Sequence, residues 1–192
     1  MRSSGQLLTS QWMMQHFNNT PSQGPCWVNN WSMMRQQQPG GAADNRDHLW
    51  MGEALAEAAR AGADGEVPIG AVVVCGGKIV GRGANRVIRD SDPTAHAEIV
   101  ALREAATALG NYRLGDCELF ATIEPCAMCA GAMVHARLKS LVYGTDDPKA
   151  GAVHSVVGVL NHPRLNHKME IRSGVLADKC AQLLQEFFKK RR

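Results

Sequence analysis

From Arg46 onward apolar residues recur at helical spacing, at Leu49, Met51, Ala54, Leu55 and Ala58, until Gly62 and Gly65 stop the run. That pattern predicts a first helix. Two short apolar runs follow, IGAVVVC (69–75) and KIVGRGA (78–84), and the Gly76–Gly77 pair between them marks a β-hairpin. Residues 92–110, DPTAHAEIVALREAATALG, return to helical spacing at Ile99, Val100, Leu102, Ala106 and Leu109, with Asp92 or Thr94 as candidate N-cap and Gly110 as terminator. CELFATIE (117–124) reads as a buried strand stopped by Pro125. CAMCAGAMVHARL (126–138) reads as a helix through Met128, Ala132, Met133 and Leu138, and SLVYG (140–144) as another strand. KMEI (168–171) is a candidate fifth strand. LADKCAQLLQEFFKK (176–190) is an amphipathic last helix through Leu176, Cys180, Leu183, Leu184 and Phe187. Strands alternating with helices predict an α/β fold of three layers, α/β/α, with a central mixed five-stranded sheet flanked by helices on both faces.

Upstream of residue 46 the pattern disappears. Residues 1–45 hold seven Gln and five Asn but no Lys, two Arg (Arg2 and Arg35) and one acid, Asp44, with no sustained period. Such a segment is expected to be a disordered N-terminal extension. It also contains Met13, Met14, Met33 and Met34 and three of the four tryptophans, which is odd for a linker. The expectation is a mis-assigned start, with translation beginning at Met33 or Met34. A mitochondrial transit peptide is the alternative, disfavoured by having only two arginines. At 192 residues with 45% hydrophobic and 20% charged composition, the chain supports one globular domain, placed at 46–192, plus this tail.

The formal charge of +3 is too small to indicate a nucleic-acid partner. Its distribution says more, because four of the 21 basic residues are the final four, Lys189 to Arg192; taken alone, such a run reads as a solvated end. No apolar run reaches 18 residues and no secretory leader is evident, so neither a membrane span nor export is expected. Of six cysteines, Cys75, Cys117 and Cys180 sit inside apolar segments and read as small buried hydrophobes. The usage fits a soluble protein of a reducing, cytoplasmic compartment.

Cys126 and Cys129 are the one spaced pair, three apart at a helix start, where backbone N–H groups and the helix dipole favour thiolate. By itself the pair leaves three readings open: metal ligands, a thioredoxin-like redox site, or packing of two small residues. His96 opens the other helix that follows a turn. One His and two Cys give three protein ligands, the number of a catalytic zinc that keeps its fourth position for water, whereas a structural zinc takes four. Glu98 is then a candidate proton carrier between that water and a substrate nitrogen. Residues i and i+2 point about 200° apart on a regular helix, so both can address one site only if His96 lies in the first, irregular turn.

The pattern H-x-E followed by P-C-x-x-C is the known signature of the zinc-dependent nucleoside and base deaminases, which this chain resembles through His96, Glu98, Pro125, Cys126 and Cys129. Over residues 46–192 the resemblance narrows to the tRNA-specific adenosine deaminases. It is carried by EVPIGAVVV (66–74), GANR (83–86), DPTAHAEI (92–99), NYRL (111–114), EPCAMCAGAM (124–133), NHPRLNH (161–167) and the FFKKRR ending. The resemblance implies a cytidine-deaminase-like fold, one zinc per subunit on His96, Cys126 and Cys129, and Glu98 as the proton shuttle. Hydroxide would attack C6 of a flipped adenine at the wobble position of the anticodon loop, giving inosine and ammonia. It further implies base contacts from Asn85 and Ala97, and contacts to flanking nucleotides from Asp147, Lys149, Asn166 and Phe188, with Arg113 a weaker candidate. The implied partners are a tRNA anticodon stem-loop and a second copy of the chain. The alternatives are a free-base or nucleoside deaminase acting on cytosine or guanine, a CxxC redox protein, and a catalytically silent zinc module.

Overall fold

The computed structural model describes residues 42–191; Cys26, the expected start at Met33 or Met34, and Arg192 lie outside them. Helix α1 spans Ala42–Ala63, four residues ahead of the boundary read from composition. Its buried stripe, Asp47, Met51, Ala54, Ala58 and Ala61, recurs every three or four residues. Leu49, expected on the apolar face, is instead 56% exposed. The hairpin forms as β1 (Gly70–Cys75) and β2 (Lys78–Ala84), with Gly76 and Gly77 at positive φ in the turn. Helix α2 (Ala97–Leu109), β3 (Cys117–Ile123), α3 (Ala127–Ala136), β4 (Ser140–Thr145), β5 (Glu170–Ser173) and α4 (Ala177–Lys189) complete the order.

The five strands make one mixed sheet in the order β2-β1-β3-β4-β5. β1 pairs antiparallel with β2 and β3, while β3, β4 and β5 run parallel. Because successive side chains leave a strand on opposite faces, the near-continuous apolar runs of β1, β3 and β4 feed two cores. Ala71, Val73, Leu119, Ala121, Leu141 and Tyr143 pack under α2 and α3. Val72, Val74, Phe120 and Val142 meet Met51 and Ala54 of α1 and Cys180 of α4. The three-layer arrangement therefore follows from strands that are apolar on both faces.

Three boundaries differ from the sequence reading. Asp92 does not cap α2: its Oδ1 accepts from the Thr94 N–H and hydroxyl, both at 2.7 Å, closing a turn before the helix. Helix α3 stops before Leu138 because Arg137 turns left-handed at φ 59°. The fifth strand sits two residues later than KMEI, since its pairing with β4 begins at Ser140 opposite Glu170. Gly83 fixes how α2 lies on the sheet: a Cβ there would fall 1.9 Å from the Ala97 carbonyl oxygen, so only glycine lets the start of α2 rest directly on β2.

Candidate active site

His96 is the N-cap of α2, with φ −68° and ψ 152°, and its side chain makes no capping bond. The ring is thus left to point elsewhere. Cys126 is the N-cap of α3 in the same extended conformation, φ −71° and ψ 171°, and its side chain also makes no cap. Two helix N-termini converge. His96 Nδ1 lies 3.6 Å from Cys126 Sγ and 3.6 Å from Cys129 Sγ, and the three donor atoms lie within 4.8 Å of one another. Such a cluster of one imidazole and two thiols can hold a metal ion.

The charge states of the cluster are coupled. The Cys126 thiol is drawn down to about 3, first by a hydrogen bond from the Cys129 thiol and then by the His96 ring. Cys129 is pushed upward by its bond to Cys126 and by burial. The hydrogen bond to Cys126 outweighs burial and raises the His96 ring above its ordinary value. As metal ligands the three would be two thiolates and a neutral imidazole, giving up the protons they share.

Glu98, only 2% exposed, is the second residue of α2. Burial pushes its carboxyl above the usual carboxylate range, opposed by the His96 charge and by a hydrogen bond from the Cys129 thiol. Glu98 therefore feels both His96 and Cys129, and His96 stands before the first residue of the helix as its N-cap. Ala97, between them, is fully buried. Asn85 is 7% exposed and anchored at both ends: its N–H donates to the Ile69 carbonyl at 3.0 Å and its side-chain amide to Glu66 Oε2 at 3.4 Å. Glu66, itself 2% exposed, also accepts from the Ile88 and Arg89 N–H groups at 2.8 Å.

The remaining candidates lie apart from this cluster. Asp147, Lys149 and Phe188 line a cavity of about 720 Å³ between the ends of β3 and β4 and the last turns of α4, a space that His96, Glu98, Cys126 and Cys129 do not line. Asp147 Oδ1 accepts from the N–H groups of Lys149 (2.9 Å) and Ala150 (3.3 Å), so the acid also shapes its own turn. Asn166 is exposed in the connection from β4 to β5 and does not line that cavity. Arg113 is exposed and stacks 5.5 Å over the Tyr112 ring. In the basic ending, Lys189 faces the cavity. Arg191 is engaged within the chain, donating to the Gly65 carbonyl and lying 4.2 Å over the Phe187 ring.

One residue of the site region escaped the sequence reading. Glu124, two positions before Cys126, is 1% exposed. Its Oε1 accepts from the N–H groups of Val153 (2.9 Å), His154 (2.8 Å) and Ser155 (3.1 Å). Its Oε2 accepts from the Asp147 N–H at 3.1 Å and from the Ser155 hydroxyl. Burial works against the charge, but the Ser155 hydroxyl and these N–H groups outweigh it and hold the carboxyl at about 2. Gly151 makes room for the carboxylate, as a Cβ there would sit 2.2 Å from Glu124 Oε2. The segment is also stitched to the ligand motif by the Ala152 N–H donating to the Pro125 carbonyl at 2.8 Å and by a bridge between Cys126 and Gly151. Glu124, Asp146 and His154 lie close enough to suggest a second metal group. Five donors already occupy the Glu124 oxygens, so it acts there as a clamp.

Residues 45–192 match the family model described as MafB19-like deaminase, which defines the class of the protein. The tRNA-specific adenosine deaminase of Haemophilus influenzae is 50% identical over 147 residues, covering 76% of this chain and 85% of that protein. A solved structure from a study of A-to-I editing by tRNA:A34 deaminases at the wobble position is 45% identical, with a TM-score of 0.69 over 71% of this chain and 99% of that one. A guanine deaminase from Nitrosomonas europaea shares the fold at a TM-score of 0.63 with 25% identity, over 90% and 98% of the two chains. The chain belongs to the family of tRNA-specific adenosine deaminases.

Proposed function

We propose that this chain converts adenosine to inosine at the wobble position of a tRNA anticodon loop, using zinc on His96, Cys126 and Cys129 and Glu98 as proton carrier. The carrying observation is the 3.6 Å spacing from His96 Nδ1 to each sulfur. This spacing suits common ligation of one ion. A tetrahedral ion with Zn–S of about 2.3 Å and Zn–N of about 2.05 Å separates N from S by about 3.6 Å. Half identity to a tRNA-specific adenosine deaminase, against 25% for a guanine deaminase, supports adenosine in tRNA over a free base.

When bound, zinc supplies a water whose pKa is near 7, acidic enough to act as a nucleophile at neutral pH. The protein's own groups do the rest. Glu98, kept from solvent with its carboxyl raised, takes one proton from the attacking water and hands it to adenine N1, then takes the second and hands it to the departing amino group, which leaves as ammonia. Asn85, its amide tied to Glu66, and Ala97 contact the base. Asp147, Lys149, Asn166 and Phe188 hold the flanking nucleotides of the splayed loop, whose unstacked bases enter a pocket at lower cost than paired ones. In this reading residues 46–192 are the deaminase domain and the enzyme is a cytoplasmic homodimer. Among the described residues no helix is long and apolar enough to cross a membrane.

The test is to measure zinc in purified protein, incubate it with total tRNA and map inosine. One zinc per chain and inosine at a wobble adenosine are expected. Metal-free protein, or ammonia released from guanine or cytidine with none from tRNA, would overturn the proposal.

A further inference from the structure

Cys75 ends β1 and Cys117 begins β3, and the antiparallel register sets them directly opposite each other. Opposed residues in such a ladder alternate between two kinds of pair, and the closer kind has its main-chain groups turned away from the partner strand. Cys117 belongs to that kind. Its N–H donates to the Leu114 carbonyl at 2.9 Å and its carbonyl accepts from the Lys139 N–H at 2.9 Å, so neither reaches β1. Non-hydrogen-bonded pairs hold their Cα atoms about 4.5 Å apart, inside the range of about 4.4–6.8 Å that a disulfide spans. Both side chains lie on the α2–α3 face of the sheet. Burial, with the Cys75 thiol as neighbour across the strands, pushes the Cys117 thiol up to about 12. Cys117 is 1% exposed, whereas Cys75 is half-buried beside the exposed Gly76–Gly77 turn and reachable from solvent.

We propose that Cys75 and Cys117 are an oxidisable dithiol, a modification site at which a peroxide closes a disulfide joining β1 to β3. The Cys75 thiolate attacks one peroxide oxygen, giving a sulfenic acid and water. Cys117 sulfur then displaces that hydroxyl as a second water, so two thiols and one hydrogen peroxide become one disulfide and two waters. Under reducing conditions the pair stays open. Cys117 lies six residues from Ile123, where β3 meets the site, or about 20 Å along the strand. The bond therefore forms without touching His96, Cys126 or Cys129.

The test treats zinc-loaded protein with one equivalent of hydrogen peroxide, blocks free thiols by alkylation, and examines the unreduced digest by mass spectrometry. A Cys75–Cys117 peptide pair 2 Da lighter than its dithiol and reopened by dithiothreitol is expected, with zinc content and inosine formation unchanged. The oxidised protein should melt higher, by on the order of 5–10 °C. Cys75→Ser, a change at a half-exposed position, should abolish both the linked peptide and the melting shift. Recovery of both cysteines alkylated, of Cys75 oxidised beyond sulfenic acid with Cys117 still free, or of Cys126–Cys129 as the sole disulfide would overturn it.

Discussion

Glu98 and Glu124 sit two positions from metal-ligand candidates, one after His96 and one before Cys126, and both are almost wholly buried. The protein treats them in opposite ways. Around Glu98 burial dominates and lifts the carboxyl. Around Glu124, five N–H and O–H donors outweigh burial and hold it as a carboxylate. A buried acid with few donors is poised to exchange a proton, and one saturated with donors is fixed as an anion. The first suits chemistry and the second architecture. Position in the chain does not separate them; the number of donors aimed at the oxygens does.

The largest effect expected from this contrast is on Glu98. Glu98→Gln keeps the shape and removes the proton carrier, so turnover on tRNA should fall by about 10²–10⁴-fold while zinc content and melting temperature hold. If inosine formation survived, or if zinc were lost with it, Glu98 would belong with Glu124 as architecture.

Glu124→Gln should behave in the mirror image. A neutral amide cannot accept from all five donors, and stranding buried donors costs about 1–3 kcal/mol each. A drop in melting temperature of on the order of 5–10 °C is expected, measured by calorimetry with zinc bound. Activity at a temperature where the variant is folded should fall far less than in Glu98→Gln. An unchanged melting temperature would mean that the 147–155 segment does not depend on its anchor.

Much of this region was legible in the sequence. The start of the helix at Cys126 could be read from the stop at Pro125, and the i, i+2 spacing of His96 and Glu98 called for an irregular first turn, whereas the cap of α2 was read at Asp92 or Thr94 and falls on His96. Glu124 was not legible. A single acid closing a buried strand carries no periodic signal, and its partners arrive 23 to 31 residues later from a segment without regular structure. Asp92 misled for a related reason: an Asp two residues before Thr is equally good as a turn-former and as a helix cap, and here its carboxylate takes the Thr94 N–H and hydroxyl in a turn. The Cys75–Cys117 pairing was also hidden, since register is a property of two strands.

A smaller effect is expected at the chain end. Lys189 faces the cavity lined by Asp147 and Phe188, but Arg191 is bound to Gly65 and Phe187. Deleting residues 189–192 should weaken tRNA binding by more than it slows turnover of bound substrate. The slope of log affinity against log salt should flatten by about 0.7 for each phosphate that the shortened chain no longer neutralises. An unchanged slope would remove these residues from the binding surface.

The smallest effect tests whether charges can substitute for donors. Glu118, on β3 away from the site, faces Arg172 at 3.2 Å, Arg46 at 3.1 Å and the Ser140 hydroxyl at 3.0 Å. Burial opposes its charge, but the Ser140 and Arg172 hydrogen bonds and the two arginine charges hold the carboxyl below its ordinary value of 4.5. A carboxyl lowered on folding adds stability that is fully present above its unfolded value and is lost as pH falls through the folded one. The wild-type advantage over Glu118→Gln should therefore be constant from pH 7 to about 5, shrink as pH drops below about 4.5, and stay within about 1–2 kcal/mol because solvent reaches the arginines. An advantage that grew on acidification would mean that burial, as at Glu98, governs this carboxyl instead of its partners.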